Sequence, residues 1–287
     1  NEEEIPSVSL SALDDWITCP FKYWCRYVLK LDFPANELYD RRRAGIFLHR
    51  LWEIALNESS VSENSISNIV MKHYDAVAKE CYQELTSDRR LLRYNDRLKD
   101  QVADLAEQQD EIENRIKGRR TRIATEYELK EYVFCGVKFK GRADRIDFYD
   151  NSAVVLDYKS NKSEAHKNEL QLAAYALLLR ETEGITPAGY GWFGHADKRL
   201  LGYFASQYEE SYFVRRKTRQ KDLSKLLDDA QNAMSEMASS ILEGKYRANY
   251  GSDGCPLCPY YTVCRKREIA YSNDEENEND TEASGDE

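Results

Sequence analysis

The chain has 287 residues, of which 41% are hydrophobic and 11% aromatic, and this composition is typical of a globular protein with a sizeable buried core. No apolar run is long enough to cross a bilayer, and the acidic beginning of the chain is unlike a signal peptide. These features argue against a membrane protein and against a secreted disulfide scaffold. We expect a cytoplasmic protein without a membrane partner, in which the seven cysteines are reduced.

The formal net charge of −10 comes largely from residues 271–287, which hold eight acidic residues and no Lys or Arg. The remainder carries 43 acidic and 41 basic side chains, so charge alone does not indicate nucleic-acid binding. We predict one folded domain over residues 1–270 and a disordered acidic tail over 271–287, because the tail cannot bury enough apolar surface to fold. The chain begins with Asn1 rather than Met, which suggests a processed product or a piece of a longer polypeptide.

Helical periodicity dominates the first part of the chain. The predicted helices lie at residues 7–30 (interrupted at Pro20), 41–57, 65–86 and 89–118. The last of these has so many paired charges that we expect it to be mostly solvated. Residues 58–120 contain no motif that we recognise, and we interpret them as a helical insertion.

The pattern then changes to an alternation with period two, which is typical of strands. Three such segments follow one another and predict an antiparallel meander: ATEYELKEYVF, VKFKGRADRIDFY and SAVVLDYKS. Four further elements are predicted: a helix at about 164–182, strands near 188–195 and 200–206, and a helix at about 218–244. The predicted fold class is α/β or α+β, with a mixed central sheet flanked by helices.

Two aspartates are expected to face each other across one predicted hairpin. Asp150 and Asn151 form a plausible two-residue turn, since both residue types tolerate positive φ. A turn centred there places Asp144 directly opposite Asp157 on one side of the sheet. Opposed like charges destabilise a strand pair, so we expect a cation between them, and carboxylate oxygens suit Mg²⁺ or Mn²⁺.

Alternation also places Lys159 on the same face as Asp157, and Asp147 on the face opposite to Asp144. A lysine beside a metal-binding carboxylate can orient a water, help to deprotonate it, or offset charge that develops on a phosphate. Asp144, Asp157 and Lys159 are therefore candidate catalytic residues for phosphodiester hydrolysis, and Asp147 is assigned a structural role. The same spacing also fits an ordinary charged hairpin with solvated aspartates, and a slip of one residue in the turn would separate the pair.

The segments GRADRID (141–147) and LDYKS (156–160) resemble the G-x-x-D-R-I-D … D-Y-K-[ST] signature of RecB-like nucleases in the PD-(D/E)XK superfamily. These relatives include the nuclease domains of RecB and AddB and the CRISPR-associated nuclease of spacer acquisition. The resemblance implies a restriction-endonuclease-like core, and it favours the catalytic interpretation of the hairpin.

The resemblance also implies roles for side chains outside the two aspartates. AGIFLHRLWE matches the family's G-x-x-x-H motif, which implies that His49 binds the metal, with the backbone carbonyl of Tyr158 as an additional ligand. ELQLAAYALLL resembles the Q-x-x-x-Y motif, which implies that Gln171 and Tyr175 contact the substrate backbone.

The roles of four further charged side chains stay open. Arg142 and Arg145 are candidates for phosphate contacts. Glu126 either approaches the site or is one of the alternating charges of an edge strand. Glu53, one turn after the G-x-x-x-H histidine, either supports a ligand or is a solvated helix residue.

Three cysteines near the end of the chain, Cys255, Cys258 and Cys264, have a ligand-like spacing in a segment too short to form its own core. A four-ligand site needs one more thiolate. Cys19, in the segment ITCPFKYW, is the best candidate for that position because its setting resembles the C-P-[FR]-[KR] segment near the start of the AddB and CRISPR-associated relatives, and Cys25 is its competitor.

Four cysteines could hold zinc equally well on chemistry alone. The resemblance implies a [4Fe–4S] cluster instead, since one N-terminal and three C-terminal cysteines hold such a cluster in the AddB and CRISPR-associated relatives. A cluster of this kind would join the two ends of the domain and have a mainly structural role. Cys81 and Cys135 are interpreted as ordinary thiols.

The sequence therefore predicts a metal-dependent DNA nuclease, most naturally an exonuclease that acts on single strands or DNA ends. The expected setting is an AddB-like helicase–nuclease of DNA repair or recombination, with a helicase domain or subunit as partner. Three alternatives remain: a catalytically silent iron–sulfur DNA-binding or scaffold module, a nuclease of CRISPR adaptation or phage defence, and a zinc-dependent regulatory protein with a fortuitous hairpin match.

Overall fold

A computed structural model of the chain describes residues 5–31, 40–60, 64–116, 119–166, 168–212, 222–251, 255 and 258–264. The predicted disordered tail, residues 271–287, lies outside the described residues. None of the described helices combines the length and the apolar composition that a membrane crossing requires.

A run of helices follows the first strand, and most of the strands come after it. The helices are α1 (Leu13–Thr18), α2 (Pro20–Tyr23), α3 (Arg41–Ser59), α4 (Ile66–Cys81), α5 (Gln83–Ser87), α6 (Leu92–Ile116), α7 (Gln171–Glu183), α8 (Ser206–Tyr212) and α9 (Leu223–Glu243). The strands are β1 (Ser7–Ser9), β2 (Arg122–Phe134), β3 (Val137–Tyr149), β4 (Ser152–Lys159), β5 (Thr186–Gly194) and β6 (Arg199–Phe204). Short 3-10 turns cover Leu10–Ala12 and Ser163–His166, and a π-helical turn covers Trp24–Val28.

The six strands form one mixed sheet, as the sequence predicts. The strand pairs β2–β3, β3–β4 and β5–β6 are antiparallel, whereas β1–β3 and β4–β5 are parallel. The predicted meander of β2, β3 and β4 is confirmed. Pairing of β4 with β5 requires a crossover, and α7 supplies it.

The central strand β3 has a gap along one of its edges. β2 pairs along one edge of β3, so β1 and β4 must share the other edge. On that edge β1 pairs with residues 138–140 and β4 with residues 145–149. Residues 141–144 lie between these two partners, and Asp144 is the last of them. The gap is therefore where this sheet can present side chains to a ligand.

The two faces of the sheet are covered by different helices. One apolar core contains Ile146 and Val155 together with residues of α1, α7 and α9. The other contains Val154 and Leu156 together with residues of α3, α4, α5, α6 and α8. Because side chains alternate along a strand, Asp157 belongs to the first face and Tyr158 to the second.

The predicted N-terminal helix is wrong at its start. Ser7–Ser9 is a strand, because its backbone pairs with residues 138–140 more than a hundred positions away. The helix proper begins at Leu13 and breaks at Cys19, whose φ of −166° and ψ of 111° are extended. Pro20 then begins α2, a position where its missing N–H costs nothing.

Other helix boundaries also differ from the predicted ones. The predicted helix 65–86 is divided at Tyr82, which has φ −149° and ψ 68°. The predicted helix 164–182 begins only at Gln171, and α8 was not predicted at all. The helix α6 is not mostly solvated, because seven side chains along one face are buried: Leu98, Val102, Leu105, Ala106, Gln109, Ile112 and Ile116.

Candidate active site

The hairpin of β3 and β4 has the register that the turn residues predict. Tyr149 pairs with Ser152 and Arg145 pairs with Leu156, so Asp144 and Asp157 are the next residues on the two strands. Asp157 is only 5% exposed. Asp144 Oδ2 accepts the backbone N–H of Tyr158 at 2.9 Å. Two acidic side chains thus meet at the gap in the sheet.

The pKa values of the two aspartates shift in opposite directions. Burial, together with the negative charge of Asp144, raises the pKa of Asp157 to about 6, although Lys159 and His49 act in the opposite direction. Asp157 Oδ2 is buried, and the Lys159 ammonium forms an ion pair with it at 3.1 Å. One lysine offsets only part of the charge of the two neighbouring aspartates, so a metal ion would stabilise them further.

His49 reaches the site from α3. Its Nδ1 lies 3.3 Å from Asp144 Oδ1, and its Nε2 lies 3.1 Å from the carbonyl oxygen of Tyr158. Burial lowers the pKa of His49, but the neighbouring carboxylates, above all Asp144, outweigh it and raise that pKa to about 9. His49 in turn outweighs the effect of burial on Asp144 and holds the pKa of that carboxyl below its usual value.

Glu126 is the residue whose position at the site the sequence left open. Its φ of +46° is unusual for a residue with a side chain, and it interrupts the pairing between Thr125–Arg145 and Tyr127–Ala143. Its Oε1 lies 3.9 Å from His49 Nδ1. In the part of the chain that the structure describes, His49, Glu126 and Asp144 are the three side chains whose ligand atoms lie within 4.8 Å of one another.

Lys159 and the two residues of α7 lie beside these acids. Burial lowers the pKa of Lys159, but Asp157 and Glu169 outweigh it and raise that pKa above its usual value. Gln171 Nε2 donates to the Tyr175 hydroxyl at 2.8 Å, and only 2% of Tyr175 is exposed. Gln171 and Tyr175 thus bind each other at the start of α7, and the burial of Tyr175 leaves it without the surface that the predicted contact with the substrate backbone requires.

Gly141 makes room for Tyr175. A Cβ atom at position 141 would lie 2.4 Å from Tyr175 Cε1, so the tyrosine ring lies directly on the backbone of β3. The amino end of α7 is held by Asp14, whose carboxylate accepts the backbone N–H groups of Leu170 at 2.7 Å and Gln171 at 3.3 Å. These contacts fix α7 against the gap.

Comparison with known families agrees with this geometry. The model of the family described as the PD-(D/E)XK nuclease superfamily matches residues 7–265. The chain belongs to this superfamily. Membership implies a nuclease-type hydrolase, and it confirms the fold and the family that the hairpin motif indicates.

Two curated relatives of this PD-(D/E)XK nuclease are each described as one subunit of an ATP-dependent helicase/deoxyribonuclease. The protein from Streptococcus agalactiae serotype Ia is 27% identical over 175 residues, which is 59% of this chain and 15% of the relative. The protein from Carboxydothermus hydrogenoformans is 24% identical over 225 residues, which is 67% of this chain and 21% of the relative. The chain thus spans about a fifth or less of these relatives.

A solved structure, that of SSO0001, aligns with 92% of this PD-(D/E)XK nuclease and 88% of its own chain. It has 16% sequence identity and a TM-score of 0.36.

The expectation that Arg145 contacts phosphates is wrong for this PD-(D/E)XK nuclease. Arg145 is 1% exposed and its guanidinium binds Asp147 Oδ1 and Oδ2 at 2.8 and 2.9 Å, on the face away from Asp144. It also contacts Glu113 of α6 at 2.9 Å. Arg142, in contrast, is largely exposed and lies 3.0 Å from Glu126 Oε2, at the rim of the site.

The four cysteines predicted to bind a cluster line one partly open pocket: Cys19, Cys255, Cys258 and Cys264. Asn249 connects the two ends of the chain there, because its N–H lies 3.3 Å from Cys19 Sγ and its carbonyl accepts from Cys255 Sγ at 3.2 Å. No three of the described sulfurs lie within 4.8 Å of one another, whereas tetrahedral zinc with Zn–S bonds of about 2.3 Å would hold them roughly 3.8 Å apart. Cys81 and Cys135 are free thiols away from this pocket.

Proposed function

We propose that the chain is a metal-dependent nuclease domain that hydrolyses phosphodiester bonds in DNA. One observation carries the proposal. His49, Glu126 and Asp144 have ligand atoms within 4.8 Å of one another, next to the buried Asp157 that faces Asp144 across the hairpin. So many acidic groups in a partly buried place are costly unless a cation joins them.

Asp144, Asp157 and His49 would hold a divalent cation, with Glu126 at its edge. Carboxylates suit Mg²⁺ and Mn²⁺, and the imidazole moves the preference somewhat toward Mn²⁺. The His49 ring contacts the Tyr158 carbonyl oxygen at 3.1 Å. This oxygen can therefore act as a further ligand only after the ring moves away from it. A cation held there polarises the phosphate and makes a nearby water more acidic.

Lys159 and α7 complete the proposed machinery. The raised pKa of Lys159 keeps its ammonium group charged, which suits orientation of a water and stabilisation of charge on the phosphate better than removal of a proton. Gln171, partly exposed at the start of α7, is positioned to contact the substrate backbone, and Tyr175 orients the Gln171 amide through their hydrogen bond.

The relatives' description as parts of a helicase/deoxyribonuclease favours DNA as the substrate. We propose exonucleolytic cleavage of single strands or DNA ends, in an AddB-like helicase–nuclease of repair or recombination. The helicase would come from another domain or subunit, and the expected location is the cytoplasm.

A cleavage assay tests the function. Purified protein with Mn²⁺ or Mg²⁺ should degrade end-labelled linear DNA and leave circular single-stranded DNA intact. Asp157→Ala and Lys159→Ala should each lower the rate by about 100-fold or more. Asp75→Ala is the control. Asp75 lies on α4, is exposed, and pairs with Lys99 of α6. Absence of metal-dependent cleavage in the unmodified protein would contradict the proposal, and cleavage of circles would contradict its exonucleolytic form.

We also propose that Cys19, Cys255, Cys258 and Cys264 hold a [4Fe–4S] cluster, and the pocket that they share supports this. Iron and acid-labile sulfide should be present at about four atoms each per chain. Cys258→Ala should lose both and destabilise the domain, whereas Cys135→Ala, which changes an exposed thiol, should change neither. A colourless protein that contains zinc would refute this assignment.

A further inference from the structure

A buried histidine lies directly behind Lys159. His195 follows β5 and is completely buried. Its backbone N–H and its ring Nδ1 both reach the carbonyl oxygen of Lys159, at 2.9 and 2.8 Å. Its Nε2 lies 2.8 Å from Trp52 Nε1 on α3. An indole nitrogen can only donate, so Nε2 accepts and Nδ1–H donates to the Lys159 carbonyl.

Trp52 and His49 both belong to α3 and are three residues apart, so they lie on neighbouring parts of one helix face. His49 contacts the Tyr158 carbonyl, and Trp52 reaches the Lys159 carbonyl through His195. The Trp52 ring also stacks on the Tyr158 ring, with centroids 5.0 Å apart and an angle of 9°. One helix is therefore connected to two successive carbonyls of β4.

These contacts lie at the last position where the sheet holds β4. Lys159 pairs with Gly194 at the end of the β4–β5 ladder, and the chain leaves the sheet immediately afterwards. The direction of the Lys159 side chain therefore depends on what holds its carbonyl. A misplacement of about 1 Å at a reacting group can cost on the order of 100-fold in rate.

We infer that His195 and Trp52 are positioning residues of the proposed active site, which set Lys159 and the Tyr158 carbonyl relative to His49. The inference rests on the proposed nuclease function. It gives a role to the buried polar pair of Trp52 and His195, which are 143 residues apart in the sequence. Neither residue touches the substrate; both act through the end of β4.

Two variants of nearly equal shape separate a positioning role from a packing role. His195→Asn keeps an N–H donor where Nδ1 lies, and His195→Leu removes it. We expect His195→Leu to lower kcat for DNA cleavage by about 10- to 100-fold, with little change in KM for DNA, and to weaken Mn²⁺ binding measured by titration calorimetry. His195→Asn should recover most of both losses. Trp52→Phe, which keeps the stacking on Tyr158, should resemble a milder His195→Leu.

The thermal midpoint and the fraction of folded protein are measured for every variant. Equal kcat per folded molecule in His195→Asn, His195→Leu and Trp52→Phe would overturn the inference, and so would equal losses in His195→Asn and His195→Leu. Trp52→Phe and His195→Asn decide the outcome if His195→Leu does not fold. A wild-type protein that binds Mn²⁺ but cleaves no DNA would instead contradict the proposed function, and the Mn²⁺ affinities of the variants would then still test the positioning of β4.

Discussion

The strand β3 carries two buried aspartates on opposite faces, and their surroundings differ. Asp147 accepts two hydrogen bonds from Arg145 and one from Tyr212 at 2.7 Å, and Arg120 lies 3.5 Å away. Asp144 is held by the His49 imidazole and one backbone N–H, and it faces a second carboxylate, Asp157. Arginines bind the acid on one face directly, whereas on the other face Asp144 shares its imidazole with Glu126 and lies beside an aspartate paired with Lys159.

This difference separates a stabilising charge from the proposed metal-binding one within a single motif. GRADRID contains both aspartates, three residues apart, and only the alternation of the strand distinguishes them. A buried ion pair with complete hydrogen bonding keeps its fold when no ligand is present. The proposed function of the other face depends on a bound cation, so the two faces should respond differently to mutation.

The largest effect is expected from Asp147→Ala. It would leave Arg145, which is 1% exposed, without its main counter-charge, and only Glu113 would remain nearby. We expect the free energy of unfolding to fall by about 3–5 kcal/mol in urea denaturation. Asp75→Ala, at an exposed pair, should stay within about 0.5 kcal/mol of wild type. A loss below about 1 kcal/mol for Asp147→Ala would remove the contrast between the two faces.

Asp157→Asn should show the opposite behaviour. The pKa of Asp157 is raised to about 6, so at neutral pH its charge costs stability in the metal-free protein. We expect the variant to unfold at the same or a higher urea concentration without divalent ions, and to lose about 100- to 1,000-fold in cleavage rate. A loss of stability comparable with that of Asp147→Ala would show that Asp157 is a structural acid.

Gly141→Ala tests the packing at the gap. The new Cβ would lie 2.4 Å from a ring that is 2% exposed, so either Tyr175 or β3 must move. We expect a loss of about 1–3 kcal/mol in the free energy of unfolding and a lower kcat/KM for DNA. The matched variant is Gly45→Ala in α3, where a Cβ meets nothing within 4 Å. It should stabilise the protein by up to about 1 kcal/mol. Equal effects of the two substitutions would contradict the assigned contact.

The smallest effect concerns acid stability. Burial lowers the pKa of His195 from 6.5 to about 4, so the folded protein binds fewer protons than the unfolded chain between these values. This contribution to stability is complete above pH 6.5 and is lost as the pH falls toward 4. Urea denaturation at stepped pH should show wild type losing on the order of 1 kcal/mol per pH unit more than His195→Asn in this window. Parallel curves for the two proteins would contradict the assignment.

Patterns among residues close in the sequence were enough to predict the β3–β4 hairpin and its two facing aspartates, Asp144 and Asp157. The turn residues and strict alternation set the register, because a hairpin depends on neighbours in sequence. The spacing of His49, Gln171 and Tyr175 reflects the family motif. Arg145 could also have been assigned from alternation, since it lies two residues before Asp147 and therefore shares its face.

The features that the sequence did not reveal depend on distant partners. Glu126 is placed by an irregular backbone with φ +46°, which no alternation predicts. Trp52 and His195 meet across 143 residues, and neither has a neighbouring motif. The buried face of α6 was hidden by its many charges, although its apolar residues recur at helical spacing.

The parallel pairing of β1 with β3 has a consequence for how this protein folds. Ser7 pairs with Lys138, so a loop of about 130 residues must close before the N-terminal strand has a partner. During synthesis the first strand must wait for its partner until β3 has left the ribosome. Contacts of such high sequence separation slow folding, so the gap between β1 and β4 should be among the last parts of the domain to form.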